Sequence, residues 1–219
     1  MKLSKPTVAL LKNFATINSN ILLKAGSSLQ TISGMKAIVA SVTVEEVFPQ
    51  DFGIYDLNDF LSSYSMFNDA ELTFSDKFVK MSEGNSVTRY YASSPEVLTT
   101  PKKAITFPES DVTFNLSTDL LASIMKSSSV LRAPDVSFIG EEGTLSLLVT
   151  DKKNPTANSY EVTVGKTESV FNVNLKVENL KFIPGDYVVS ISSKKISRFQ
   201  SPVGDLVYFV AVEADSTFA

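Results

Sequence analysis

The stretch Phe114-Asn115-Leu116-Ser117-Thr118-Asp119-Leu120-Leu121, with Ala122 to Leu131 behind it, changes its apolar period part-way along. Its beginning alternates like a half-buried strand, with Phe114 and Leu116 on one face. Its end gathers Leu120, Leu121, Ile124 and Leu131 on one side at helical spacing. Ser117 or Thr118 stands at the change, where a hydroxyl accepts from the free amides of a first helical turn. A strand therefore runs through a cap straight into a short amphipathic helix.

The same construction recurs along the chain. Phe52 to Leu61 repeats it with Asp56 as the cap, and Phe171-Asn172-Val173-Asn174-Leu175, leading to Leu180, repeats it with Asn174 as the cap. Near the start, Leu3-Ser4-Lys5-Pro6 opens another helix after the shortest of strands. A longer β-rich segment follows each unit, so the expected class is α+β, with a helix near residues 175–182 as the fourth and poorest of its kind. Turns are expected at Ala25-Gly26-Ser27, at Ser33-Gly34 and in a hairpin around Gly140-Glu141-Glu142-Gly143. The segment Ser93 to Asp111, with Pro95, Pro101 and Pro108, is unsuited to a long strand or helix. It lies near the middle of the chain and reads as a connector (93–111) between an N-terminal domain (1–92) and a C-terminal domain (112–219) of similar size.

Composition excludes several kinds of chemistry. The 219 residues include no cysteine and no histidine, which removes disulfides, thiolate and imidazole metal ligands and the usual general base. There is no G-x-x-x-x-G-K-[ST] loop and no G-x-S-x-G elbow, and no acidic cluster stands out as a magnesium site. Catalysis, a metal and a cofactor are therefore not expected. No apolar run reaches the roughly eighteen residues of a membrane span, and the opening lacks a signal-peptide core, so the chain reads as intracellular. The net charge of −4 argues against a uniformly basic nucleic-acid binder but leaves room for a local basic surface.

That surface is expected on the helices. In the helix from Lys5 to about Asn18, Ser4 is the cap and Pro6 lies in the first turn, where a missing amide costs nothing. Leu10, Leu11, Phe14 and Ile17 face a core, while Lys5, Lys12 and Thr16 share the opposite stripe with Ala9 beside them. Lys126 falls on the outer face of the third helix beside Ala122, Ser123 and Ser129, and Lys181 falls opposite Leu175, Leu180 and Ile183 on the fourth. The second helix carries Asn58, Asp59, Ser62 and Ser63 outward and no base. The acids Glu45-Glu46, Glu71, Glu141-Glu142 and Asp151 belong to strands and loops, so a negative exterior is expected away from the helices. The plainer alternative is that these lysines merely solubilise exposed helix faces.

Met1-Lys2-Leu3-Ser4-Lys5 with Ala9-Leu10-Leu11-Lys12-Asn13-Phe14-Ala15-Thr16-Ile17-Asn18, Ile54-Tyr55-Asp56-Leu57-Asn58 and the ending Ala211-Val212-Glu213-Ala214-Asp215-Ser216 resemble the DNA polymerase processivity factors, the sliding clamps, of T-even-type phages. The resemblance implies the DNA clamp fold: two similar domains, each with two inner helices backed by antiparallel β-sheets, assembled as a homotrimeric ring around double-stranded DNA. It implies sequence-independent contact with DNA through Lys5, Lys12, Lys126 and Lys181. It also implies a replicative DNA polymerase as partner, an ATP-dependent clamp loader, a role in late transcription, and a place in the cytoplasm of the infected bacterial host. Partners of such clamps dock in an apolar pocket between connector and C-terminal strand, which here would draw on Val97, Leu98, Ile105, Phe107, Phe209, Ala211 and Val212. Strand alternation keeps Phe209 and Val212 off a common face. The competing reading is a β-rich structural or virion assembly protein with no DNA-encircling role.

Overall fold

A computed structural model describes all residues from Met1 to Ala219, and the chain divides into two compact units, Met1–Ala104 and Ile105–Ala219. The first unit runs in order α1 (Lys5–Ile17), β1 (Ile21–Leu23), β2 (Gly26–Ile32), β3 (Ile38–Phe48), β4 (Phe52–Ile54), α2 (Leu57–Tyr64), β5 (Glu71–Phe74), β6 (Phe78–Glu83) and β7 (Ser86–Tyr91), ending in a 3-10 turn at Pro95–Val97. Here β1 pairs with β4, β2 with β3, and β5, β6 and β7 form a meander, all antiparallel. The short strand expected before α1 is reduced to a pair of hydrogen bonds, in which Met1 and Leu72 exchange N–H and C=O contacts at 2.9 and 2.7 Å. Helix α1 buries Thr7, Leu11, Phe14 and Ile17, and α2 buries Leu57, Phe60 and Leu61. Edge-to-face ring pairs, each at 5.4 Å, join α2 to β7 through Phe60–Tyr90 and β4 to β5 through Phe52–Phe74.

The second unit runs β8 (Val112–Leu116), α3 (Thr118–Leu131), β9 (Asp135–Glu141), β10 (Thr144–Thr150), β11 (Tyr160–Lys166), β12 (Phe171–Lys176), a 3-10 turn at Val177–Asn179, β13 (Tyr187–Ser192), β14 (Ile196–Gln200), β15 (Val207–Ala211) and β16 (Thr217–Phe218). One sheet has the order β11-β10-β9-β12-β16, and a second ladder runs β15-β14-β13-β8. The expected hairpin joins β9 to β10 through Glu142 (φ 50°) and Gly143 (φ 77°), the two left-handed positions of a type I′ turn. Its core is aromatic: Phe182 packs on Phe199 and Tyr208 at 4.6 Å and on Tyr187 at 5.5 Å, and Phe114 lies 5.0 Å from Phe138. Burial pushes the Tyr208 phenol up to about 12 and the Tyr187 phenol further.

The structure departs from two expectations. The fourth helix does not form. The alternation of Phe171, Val173 and Leu175 continues as β12 to Lys176, paired with β9, and only a 3-10 turn follows. Asn174 caps nothing: it is buried in the strand, accepts from Ser137 Oγ at 2.5 Å, and takes its own backbone partner from Ser216. The second unit thus holds one α-helix where two were expected. The other correction concerns Glu46, which does not join an acidic exterior. It falls in phase with Ile38, Ala40, Val42, Val44 and Phe48 on the buried face of β3, and is only 9% exposed.

Candidate nucleic-acid interface and partner-binding face

Helix α1 starts where Ser4 Oγ accepts from the Thr7 N–H at 3.3 Å, with Pro6 in the first turn, and it closes at Asn18. It has no acidic residue in its own first turn. Glu46 reaches in from β3 instead: one carboxylate oxygen accepts the Ser4 N–H and the other accepts from Thr7 Oγ1 at 2.6 Å. Burial alone would push this carboxyl up, but the hydrogen bonds from Ser4 and Thr7 outweigh it and hold it below the usual carboxylate range. A full negative charge is thereby fixed at the positive end of the helix. With the start so anchored, Lys5, Ala9, Lys12 and Thr16 are all exposed along the side away from Leu11, Phe14 and Ile17.

Helix α3 is held in a similar way by different residues. Ser117 Oγ accepts from the Leu120 N–H at 3.3 Å, while the Asp186 carboxylate accepts from the Thr118 N–H at 2.7 Å and its hydroxyl at 2.8 Å. Those two bonds, the backbone one first, hold the Asp186 carboxyl low. Leu121 and Ile124 are buried, and Lys126 is exposed beside Ala122 and Ser129. The face is less smooth than expected, since Met125 (41%) and Val130 (72%) also lie open. Lys5, Lys12 and Lys126 take part in no ion pair, so their charge is available to a ligand. Lys181 is exposed but stands on the irregular segment before β13, not on a helix. Its neighbour Lys176 is spoken for by the buried Asp135. On α2, Asp56 caps Asn58 and Asp59 at 2.9 and 3.2 Å, and the outer face carries no base.

The residues expected to receive a partner are distributed unevenly. Val97, exposed in its 3-10 turn, and half-buried Leu98 belong to the first unit, where Thr99 is tied to Asn18 and Asn20 by bonds of 3.0 and 2.9 Å. In the second unit Phe107 lies 6.3 Å from Phe209, ring centre to ring centre, with both rings half-buried. Phe209 and exposed Ala211 point away from the face of β15 that buries Tyr208 and Val210. Ile105 is half-buried in the strand-free segment before β8. Val212, by contrast, is buried at 6% and is packing, not surface. The residue the sequence reading passed over is Arg198 on β14, which faces Phe209 in register and lies 4.8 Å over the Phe107 ring. Its place in the alternation Ile196-Ser197-Arg198-Phe199-Gln200 puts it on the outer face, but its aromatic partners are visible only in three dimensions.

A family model described as DNA polymerase processivity factor matches residues 2–106, and one described as gp45 sliding clamp, C terminal, matches residues 113–214. The sliding clamp of Vibrio phage KVP40 is 34% identical over 223 residues, covering 98% of this chain and 100% of the relative. The chain belongs to the sliding clamp family. The sliding clamp of Enterobacteria phage T4 is also 34% identical, over 227 residues and 99% of each chain. Among solved structures, the clamp fold is shared with a PCNA2–PCNA3 complex from Sulfolobus tokodaii at a TM-score of 0.69 and 13% identity, covering 95% of this chain and 96% of that one. It is shared with the DnaN sliding clamp of Bartonella birtlesii at 0.69 and 14%, covering 94% of this chain and 63% of that one. Sliding clamps of this family are the DNA polymerase processivity factors of T4-like phages, and nothing in family or fold favours the assembly-protein alternative.

Proposed function

We propose that three copies of this chain close into a ring around duplex DNA and tether the replicative DNA polymerase to it in the cytoplasm of the infected host, with an ATP-dependent loader opening the ring and late-transcription factors drawing on the same body. The observation that carries the reading is the α1 stripe. Lys5 and Lys12 are exposed and unpaired among small neighbours, on a helix whose opposite side is buried and whose start is clamped by Glu46. Lys126 on α3 adds a third such cation.

Lysine suits a surface that must slide. Its ammonium is a hydrated point charge on a flexible stem and contacts phosphate without the bidentate geometry that would lock it in place. Contacts of this kind are independent of sequence and weaken with salt, by about 0.9 in the log–log slope for each phosphate neutralised. The polymerase is proposed to dock on the outer face of the second unit, where Phe107, Phe209 and Ala211 offer apolar area to an aromatic anchor. Lys181, exposed on the irregular segment before β13, is the fourth lysine proposed for the DNA contact, although no helix carries it.

The test is retention on DNA. Chains carrying K12E and K126E together should assemble and be loaded on nicked circular DNA with loader and ATP, yet dissociate several-fold faster than wild type as salt is raised. Size measurement should give three times 23.9 kDa for both. Equal retention of the variant and wild type across salt concentrations would refute the lysine contacts, and a monomer at all concentrations would refute the ring.

A further inference from the structure

We infer that Arg198 makes the Phe107–Phe209 face selective for partner peptides that carry an acidic side chain next to their aromatic anchor; the inference rests on the docking reading above. Arg198 lies in the middle of an outer sheet face. Ser190 on β13 and Phe209 on β15 are its register neighbours, Ile196 and Gln200 flank it on β14, and Phe107 covers it. Its guanidinium is under-used. Of the five N–H donors such a group carries, one meets Ser190 Oγ at 3.2 Å, Nε is buried with no acceptor, and the residue is in no ion pair. A permanent cation set among aromatic rings with donors left over is costly to keep. A planar fork of donors beside an apolar anchor site is the arrangement that recognises a carboxylate with two parallel bonds.

The aromatic contact orients the fork as well as shielding it. The Phe107 ring, 4.8 Å from the guanidinium carbon, limits where the group can swing, so a carboxylate arriving beside a ring docked on Phe209 meets donors already placed. A lysine there would keep the charge and lose the fork. Specificity then arises in the usual way for a buried polar site: a peptide with an amide where the acid should be leaves the cation unanswered.

The probe is an array of amide-capped peptides with a Phe-Phe anchor and Asp, Asn or Lys at each flanking position, titrated against full-length protein by fluorescence anisotropy. A matching set with a free C-terminal carboxylate separates side-chain recognition from capture of a chain end. Wild type should bind the best Asp peptide about tenfold more tightly than its Asn counterpart, with the difference shrinking in salt. R198M should erase that difference while leaving the Asn peptide within about twofold of wild type, and R198K should restore part of it. If R198M fails to fold, R198Q supplies the same comparison. Discrimination that persists without the guanidinium, or that follows only the free chain end, overturns the inference while leaving the docking face intact. Binding unaffected by F209A overturns the docking reading, and a wild-type protein that binds no member of the array overturns both.

Discussion

Replacing Glu46 with Gln should destabilise the protein by about 2 kcal/mol at neutral pH. The carboxylate accepts the Ser4 N–H with one oxygen and the Thr7 hydroxyl with the other, from a position only 9% exposed. Bonds to an ionised acceptor are worth about 1.5–3 kcal/mol against roughly 1 for a neutral one, and glutamine keeps a single acceptor oxygen. The lost charge at the start of α1 adds about 0.5 kcal/mol, because that helix has no acid of its own in the first turn. For a chain of this size the sum corresponds to a fall in Tm of about 4–8 °C. The pH dependence gives the sharper check. The folded carboxyl is held below its unfolded value, which lies near ~4.3. Its contribution is therefore complete above the unfolded value and is lost as pH falls through the folded one. Urea unfolding of wild type and E46Q at one fixed protein concentration, at pH 7 and at steps down to about pH 3, should show the gap closing as acid is added. Equal stability at pH 7, or a gap that stays constant into acid, would refute the clamp at the helix start.

The ion pair between buried Asp135 and half-buried Lys176 joins β9 to β12, and Asp135 also accepts the Lys152 N–H at 3.2 Å. K176M should strand the carboxylate and cost about 3–5 kcal/mol in urea unfolding, with D135N added to K176M recovering much of the loss. Thr31 is 2% exposed and its hydroxyl has no partner, so T31V should raise stability by about 1 kcal/mol; a loss in thermal melting would reveal a bond that the geometry does not contain. A Cβ on Gly53 would stand 2.3 Å from the Ser93 carbonyl oxygen and 3.0 Å from Leu98 Cδ1. G53A should accordingly cost about 1–3 kcal/mol and speed amide exchange at Ser93, whose N–H donates to Gly53.

Local order along the chain was legible wherever cap, period and turn residue agreed. Ser4, Asp56 and Ser117 each cap the helix that the apolar spacing calls for, and Glu142-Gly143 supplies the two left-handed positions a tight hairpin needs. The α1 lysines were legible for the same reason: a helix with a fixed start and one buried side decides which residues face out. Where local signals conflict, neighbours distant in sequence decide. Leu175, Leu180 and Ile183 read as a helix face, yet β9 lies ready to pair with β12, and six residues of ladder with Asn174 bonded to Ser137 and Ser216 outweigh a weak helical period. Period two alone places Glu46 inside and Arg198 outside, but neither role follows from that. Glu46 matters because Ser4 and Thr7 meet it from the far end of the unit, and Arg198 because Phe107 folds over it opposite Phe209. Spacing along the backbone sets which way a side chain points, whereas the worth of a charge depends on what surrounds it, and only the closed tertiary structure supplies those surroundings.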